Sequence, residues 1–242
     1  MILNPFIPTV LRGNQSTGAV NNYNVGTLLP ITTIEWNGAA DITIAGIVGG
    51  RIGYIFNFKN TSAFVARFLN NSGLTNAGNQ LTNIVQSGET PVAFGGYISY
   101  CYDGQNWQLI GHDQGAWITV PFAAGNFTAS GAMTWTVAGI NVTDQSFKVF
   151  GNTLIYSINV SGTTTGGVAD VELRVALPST YTGFSTTSLP CQVLSPGLAS
   201  VLSVGGPVAG LGYERFFSNL NGAVWGLGNT CIVRSSIEFA LN

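Results

Sequence analysis

The chain has 242 residues, 45% of them apolar and 7% charged, with eight Lys and Arg against ten Asp and Glu for a net charge of -2. A soluble chain of this length ordinarily carries about 60 charges, and a monomer of this size exposes roughly 10,000 Å². Either Asn, Thr, Ser and Gln keep that surface wet, or other chains cover part of it, and the two lysines and six arginines are too scattered to form a nucleic-acid stripe. Residues 1–25 begin with apolar Ile2, Leu3, Phe6, Ile7, Val10 and Leu11, broken by Pro5, Pro8 and Gly13, and read as an arm without a core of its own. No basic residue precedes Pro8, so this start is not expected to act as a secretory signal.

Residues 26–112 read as a first β domain. Apolar residues alternate with polar ones, and no sustained 3.6-residue stripe calls for a helix. Asp103-Gly104, between Tyr97–Tyr102 and Trp107–Ile110, predicts a hairpin carrying two aromatic-bearing strands. Asn70–Gly88 reads as a long loop or a short helical turn. Gly111–Gly115, holding the only histidine, His112, reads as a hinge between domains.

Residues 113–242 read as a second β domain. Leu154, Tyr156, Ile158 and Val160 form one apolar face, as do Val171, Leu173, Val175 and Leu177. In the last strand Cys231, Val233, Ser235, Ile237 and Phe239 face inward, against Ile232, Arg234, Ser236 and Glu238 outward. Turns are expected at Gly49-Gly50, Gly151-Asn152, Gly166-Gly167 and Gly205-Gly206. No charge occurs from Val175 to Tyr213, yet Pro178, Pro190, Pro196 and Pro207 argue against a membrane-spanning helix. That tract is expected to form strands and turns buried against another subunit. The fold class expected is all-β: an arm, then two antiparallel β domains.

Chemistry has few footholds. Cys101, Cys191 and Cys231 are odd in number and lack a CxxC pair, so buried free thiols are expected rather than a disulfide framework or zinc site. His112 has no second histidine to share a metal and no positioned serine to activate, so neither a catalytic residue, a metal nor a cofactor is expected. For glycoside cleavage the carboxylates nearest in sequence are Glu35 with Asp41 and Asp170 with Glu172; the latter share one strand face by alternation, and solvated surface charges are the plainer reading. Among the aromatics, Tyr181, Phe184, Tyr213 and Trp225 fall in or near loop-like tracts and are the candidates for stacking on a sugar.

Two stretches carry a resemblance. Asp41–Asn60, DITIAGIVGGRIGYIFNFKN, resembles a module of tailed-phage fibre and other virion proteins in which a strand leads through a Gly-Gly turn to an apolar strand ending in Asn. Tyr100–Ile110, YCYDGQNWQLI, is similar to the closing Tyr-Asp…Trp turn of that module, and Tyr54 stands where its pattern has Arg. Phe127–Val137, Gly151–Ser161, Glu172–Pro178 and Ile237–Phe239 resemble a β-sandwich, jelly-roll-like module near the ends of virion fibres.

The resemblance implies a non-enzymatic, homotrimeric virion fibre protein of a tailed bacteriophage, assembled in the host cytoplasm, on head or tail. Residues 1–25, through Ile2, Leu3, Phe6 and Ile7, would anchor it to a capsid or tail component. The second domain would face outward for adhesion to host-surface polysaccharide, without membrane insertion. The competing expectations are a decoration or adaptor protein without ligand, and a capsule depolymerase using Asp170 and Glu172.

Overall fold

The computed structural model describes residues 9–11, 16–24, 26, 28–83, 89–178, 181–186, 188–197 and 201–241, and is almost entirely β. It divides into two compact units, Met1–Ile118 with Val149–Gly151, and Thr119–Lys148 with Asn152–Asn242. The expected anchor residues Ile2, Leu3, Phe6 and Ile7 lie outside the described residues.

The first unit contains β1 (Thr9–Leu11), β2 (Gly18–Val20), β3 (Ile31–Trp36), β4 (Ile42–Ile44), β5 (Ile55–Asn60), β6 (Ala66–Leu69), β7 (Leu81–Thr82), β8 (Glu89–Val92), β9 (Gly95–Tyr102) and β10 (Trp107–Gly115). Its strands are not simply antiparallel, as the sequence suggested. β1, β3 and β5 run parallel in one sheet, with Thr9 opposite Thr32 and Ile31 opposite Ile55. β2, β4 and β6 run parallel in another, Gly18 opposite Ile42 and Ile42 opposite Ala66. Each pairing advances by about 24 positions, and so does the bridge from Tyr23 to Ile47. The first unit is therefore a stack of coils, each giving one strand to either sheet and burying one face of both. Antiparallel strands end the stack, β9 on β5 and β8 on β6.

Between the two sheets lie Ile34, Trp36, Ile44, Phe56, Phe58, Phe68, Tyr100 and Trp107, all fully buried. The rings of Phe58 and Phe68 meet edge-on at 5.1 Å. Polar tips inside this core find partners, as burial requires: Trp107 Nε1 donates to the Ile47 carbonyl at 2.9 Å and the Tyr100 hydroxyl to Asn83 Oδ1 at 2.6 Å. Asn60 fixes the corner after β5. Its amide nitrogen donates to the carbonyls of Phe64 at 2.7 Å and Val92 at 2.8 Å, and its Oδ1 accepts from the Ser62 N–H at 2.7 Å. Gly46 explains one glycine of the Asp41–Asn60 stretch, since a Cβ there would collide with Thr75 Oγ1 and the Asn79 carbonyl.

The hairpin at Asp103-Gly104 is present: Tyr102 faces Trp107, and Asp103 Oδ1 accepts from the N–H groups of Gln105 and Asn106 at 2.7 and 2.8 Å. The expected hinge is not. Gly111–Gly115 belongs to β10, where, past a register shift between Leu109 and Gly111, it pairs with β9 from Ser99 to Gly95. The division between units instead follows Ile118.

In chain order the remaining strands are β11 (Ile118–Thr119), β12 (Phe127–Ala129), β13 (Met133–Thr136), β14 (Val142–Phe150), β15 (Thr153–Gly167), β16 (Glu172–Ala176), β17 (Leu189–Leu194), β18 (Val201–Pro207), β19 (Tyr213–Phe217) and β20 (Gly228–Ala240). The sheet of the second unit follows the order β14, β15, β20, β17, β18, β19, β16, β12. β13 joins the far half of β15, so the sheet curls back toward its own start. Alternation along β15 and β20 is as read from the sequence: Leu154, Tyr156, Ile158 and Val160 are buried, as are Cys231, Val233, Ser235, Ile237 and Phe239. Gly205-Gly206 and Gly166-Gly167 lie within strands rather than in hairpin turns. At Gly205 the reason is packing, because a Cβ would come within 2.7 Å of Phe216 Cδ1.

Candidate binding face of the second unit

Adjacent strands place outward residues in rows about 4.8 Å apart. Pairing of β15, β20, β17 and β18 sets Asn159 opposite Arg234, Arg234 opposite Gln192, and Gln192 opposite Leu202. Ser157 pairs with Ser236 in a neighbouring row. These side chains, with Asp144 and Pro190, line a shallow depression of about 420 Å³.

Hydrogen bonds hold its polar groups in place. The Ser157 hydroxyl donates to Asp144 Oδ2 at 2.5 Å, and the Ser146 hydroxyl to Asp144 Oδ1 at 2.9 Å. Arg234 Nε donates to Asn159 Oδ1 at 3.1 Å, and Nη1 to Gln192 Oε1 at 3.4 Å. The face offers a cation, a carboxylate, hydroxyls and amides at one surface, with Leu202 and Pro190 as apolar ground. Such a set can hydrogen-bond a polyhydroxyl ligand.

The other side of the same strands is the interior of the unit, and it contains a buried acid. Glu214 of β19 is fully enclosed, and among the described residues the one hydrogen-bond partner of its carboxylate is the Ser235 hydroxyl, which donates to Oε1 at 3.1 Å. Burial pushes its carboxyl up to about 8, against a smaller opposing pull from the Ser235 hydrogen bond. Close by, Gln145 Nε2 donates to the Tyr156 hydroxyl at 2.8 Å. Burial, reinforced by the charge of Glu214, raises the Cys191 thiol to about 12.

The aromatic candidates fare unequally. Tyr181 is 1% exposed, its ring edge-on to Phe147 at 6.0 Å, and Trp225 is fully buried with Nε1 donating to the Phe216 carbonyl at 3.3 Å. Neither reaches a ligand, because apolar bodies in loop-like tracts were drawn into the core of the curled sheet. Tyr213 is half-buried, with the Arg174 guanidinium 5.0 Å above its ring, and Phe184 is 66% exposed. These two sit on separate segments, one at the start of β19 and the other between β16 and β17.

The carboxylate pair is not arranged as its spacing suggested. Asp170 precedes β16, its carbonyl accepts from the Trp225 N–H at 2.8 Å, and its Oδ1 accepts from the Val171 N–H at 2.6 Å. Glu172 on β16 pairs with Arg174 at 2.8 Å and Arg215 at 3.3 Å, so both its oxygens are occupied. His112 Nε2 lies 2.8 Å from the Pro91 carbonyl within a strand rather than in a linker. Among the described residues no group of three or more His, Cys, Asp or Glu is placed to hold a metal ion, and no helix is long and apolar enough to cross a membrane.

No family model, curated protein or solved structure matches the chain. The polar row was missed in the sequence because Asn159, Gln192 and Arg234 are far apart along the chain. Their alternation with buried neighbours was the available signal, and it fixes the outward side without telling which strands are neighbours.

Proposed function

We propose that this chain is a structural fibre protein of a tailed-bacteriophage virion. Residues 1–25 anchor it to a capsid or tail protein, three copies assemble, and the second domain, a β-sandwich of jelly-roll type, faces outward to engage host-surface polysaccharide. The observation carrying this reading is the apolar surface left open in a chain with few charges. Ile52, Leu74, Phe94 and Ile110 in the first unit, and Ile140, Val168, Phe184, Leu202 and Leu220 in the second, are all more than half exposed. Association of copies would cover such residues and lower the need for charge. Among the described residues of the charge-free tract Val175–Tyr213, Phe184, Leu202 and Leu211 are the large side chains facing out, and we assign them to contacts between copies or to the rim of the ligand face.

The stacked coils of the first unit support the same reading, since coil stacking builds an extended element from short strands. The resemblance of Asp41–Asn60 and Tyr100–Ile110 to virion modules supplies the phage context. Light scattering on the full chain at micromolar concentration tests assembly. A mass of about 76 kDa, three times 25.4 kDa, is expected, and 25.4 kDa would overturn the trimer. Particles lacking the protein are expected to lose adsorption. Unchanged adsorption by intact particles would instead assign it to ligand-free decoration.

A further inference from the structure

Arg234 stands apart from the other paired arginines of the described residues. Arg67 pairs with Asp41 and Glu89, and Arg174 and Arg215 share Glu172. Arg234 instead rests on two neutral amide oxygens, Asn159 Oδ1 and Gln192 Oε1, and makes no ion pair among the described residues. A guanidinium carries five N–H donors. Two of these are spent on the amide oxygens of the row, and Arg234 itself lines the depression. Amide partners orient the fork without neutralising it, which is the requirement for receiving an oxyanion from outside.

The surroundings narrow the ligand. Ser157 and Ser236 offer hydroxyls, Asp144 can accept from a hydroxyl group, and Leu202 and Pro190 present apolar surface to C–H groups. Four strands at about 4.8 Å spacing give a row long enough for a short oligosaccharide. Asp144 in the same depression opposes a dianion more than a monoanion. We infer that the row Asn159–Arg234–Gln192, with Asp144, Ser157 and Ser236, is a receptor for a carboxylate-bearing saccharide, a uronic or other acidic sugar. This assignment rests on the outward, polysaccharide-facing role proposed for the second domain. It differs from that role in naming the face, the anchoring cation and the sugar class.

Titration of the full chain with D-glucuronate, D-glucose and D-glucose 6-phosphate, followed by saturation-transfer NMR, tests it. Glucuronate is expected to bind at least tenfold more tightly than either competitor. Arg234→Gln is expected to weaken glucuronate binding tenfold or more with circular dichroism and assembled mass unchanged, and Arg234→Lys, which keeps the charge and loses the fork, to fall between. Raising the salt concentration should weaken the wild-type complex and leave the Arg234→Gln variant nearly unaffected. Equal binding of glucose, indifference to Arg234→Gln, or no saturable glucuronate binding would each overturn the site. Tighter binding of glucose 6-phosphate would assign the row to phosphate and overturn the carboxylate. The fibre reading is judged separately, by the light-scattering mass and by adsorption, so the failure of one is distinguishable from that of the other.

Discussion

Glu214 gives the second unit a pH dependence that its small number of charges would not suggest. Its carboxyl ordinarily titrates near 4.5 and is raised to about 8 by burial. Below 4.5 the folded and unfolded chains are both protonated there, and the stability of the enclosed neutral acid is fully present. As pH rises toward 8 only the unfolded chain loses the proton, so stability falls by up to about 1.4 kcal/mol per pH unit and the loss is complete above the folded value. Glu214→Gln is therefore expected to flatten the dependence of the urea midpoint on pH between 5 and 8 and to be the more stable protein at pH 9. Parallel curves for the two proteins would contradict this. Ser235 was legible as an inward residue of the last strand, but its partner was not. Glu214 lies between Tyr213 and Arg215 in a short strand, and nothing local separates an inward glutamate from an outward one. What decides it is Val175 and Pro207 opposite Glu214 on the two flanking strands.

At the scale of elements, the sequence was readable wherever local chemistry acts alone. The hairpin at Asp103-Gly104 follows from an acceptor that caps its own turn and a glycine at positive φ, 105°. Alternation in β15 and β20 follows from one buried face. Gly205-Gly206 misled because a glycine pair signals either a turn or a close approach, and only the ring of Phe216 on β19 distinguishes them. Gly205→Ala is expected to destabilise the second unit by about 1–3 kcal/mol in chemical denaturation, since the Phe216 ring must shift. A change within experimental error would show that the ring has room to move. The coil of about 24 residues in the first unit escaped notice for a related reason. Its paired positions share burial rather than identity: Tyr23 meets Ile47, Ile34 meets Phe58, and Ile42 meets Ala66. Apolar alternation is common to parallel and antiparallel strands half-buried in this way, so it left pairing direction undetermined.

For the whole molecule, the three free thiols separate the two units experimentally. Cys101 in β9 is half-buried, whereas Cys191 and Cys231 are buried in the second unit, with burial raising each thiol to about 12. A disulfide exchange reagent at pH 8 is expected to modify about one thiol per native chain, Cys101, and the other two only with denaturant, because the thiolate is the reacting form. Rapid modification of all three in the native protein would contradict the enclosed interior of the curled sheet. The same count made against urea concentration reports opening of the second unit by itself.

Parallel stacking in the first unit also makes its size a stepwise quantity. Each coil adds one strand to both sheets, so a chain longer by one whole coil would extend the unit by about 4.8 Å and leave its closing β8 and β9 pairings as they are. A gain or loss of a single residue within a strand would turn every following side chain of that strand to the wrong face. Reach along the coil axis is thus adjustable only in whole turns of sequence, about 24 residues at a time as in Ile31 opposite Ile55 and Gly18 opposite Ile42.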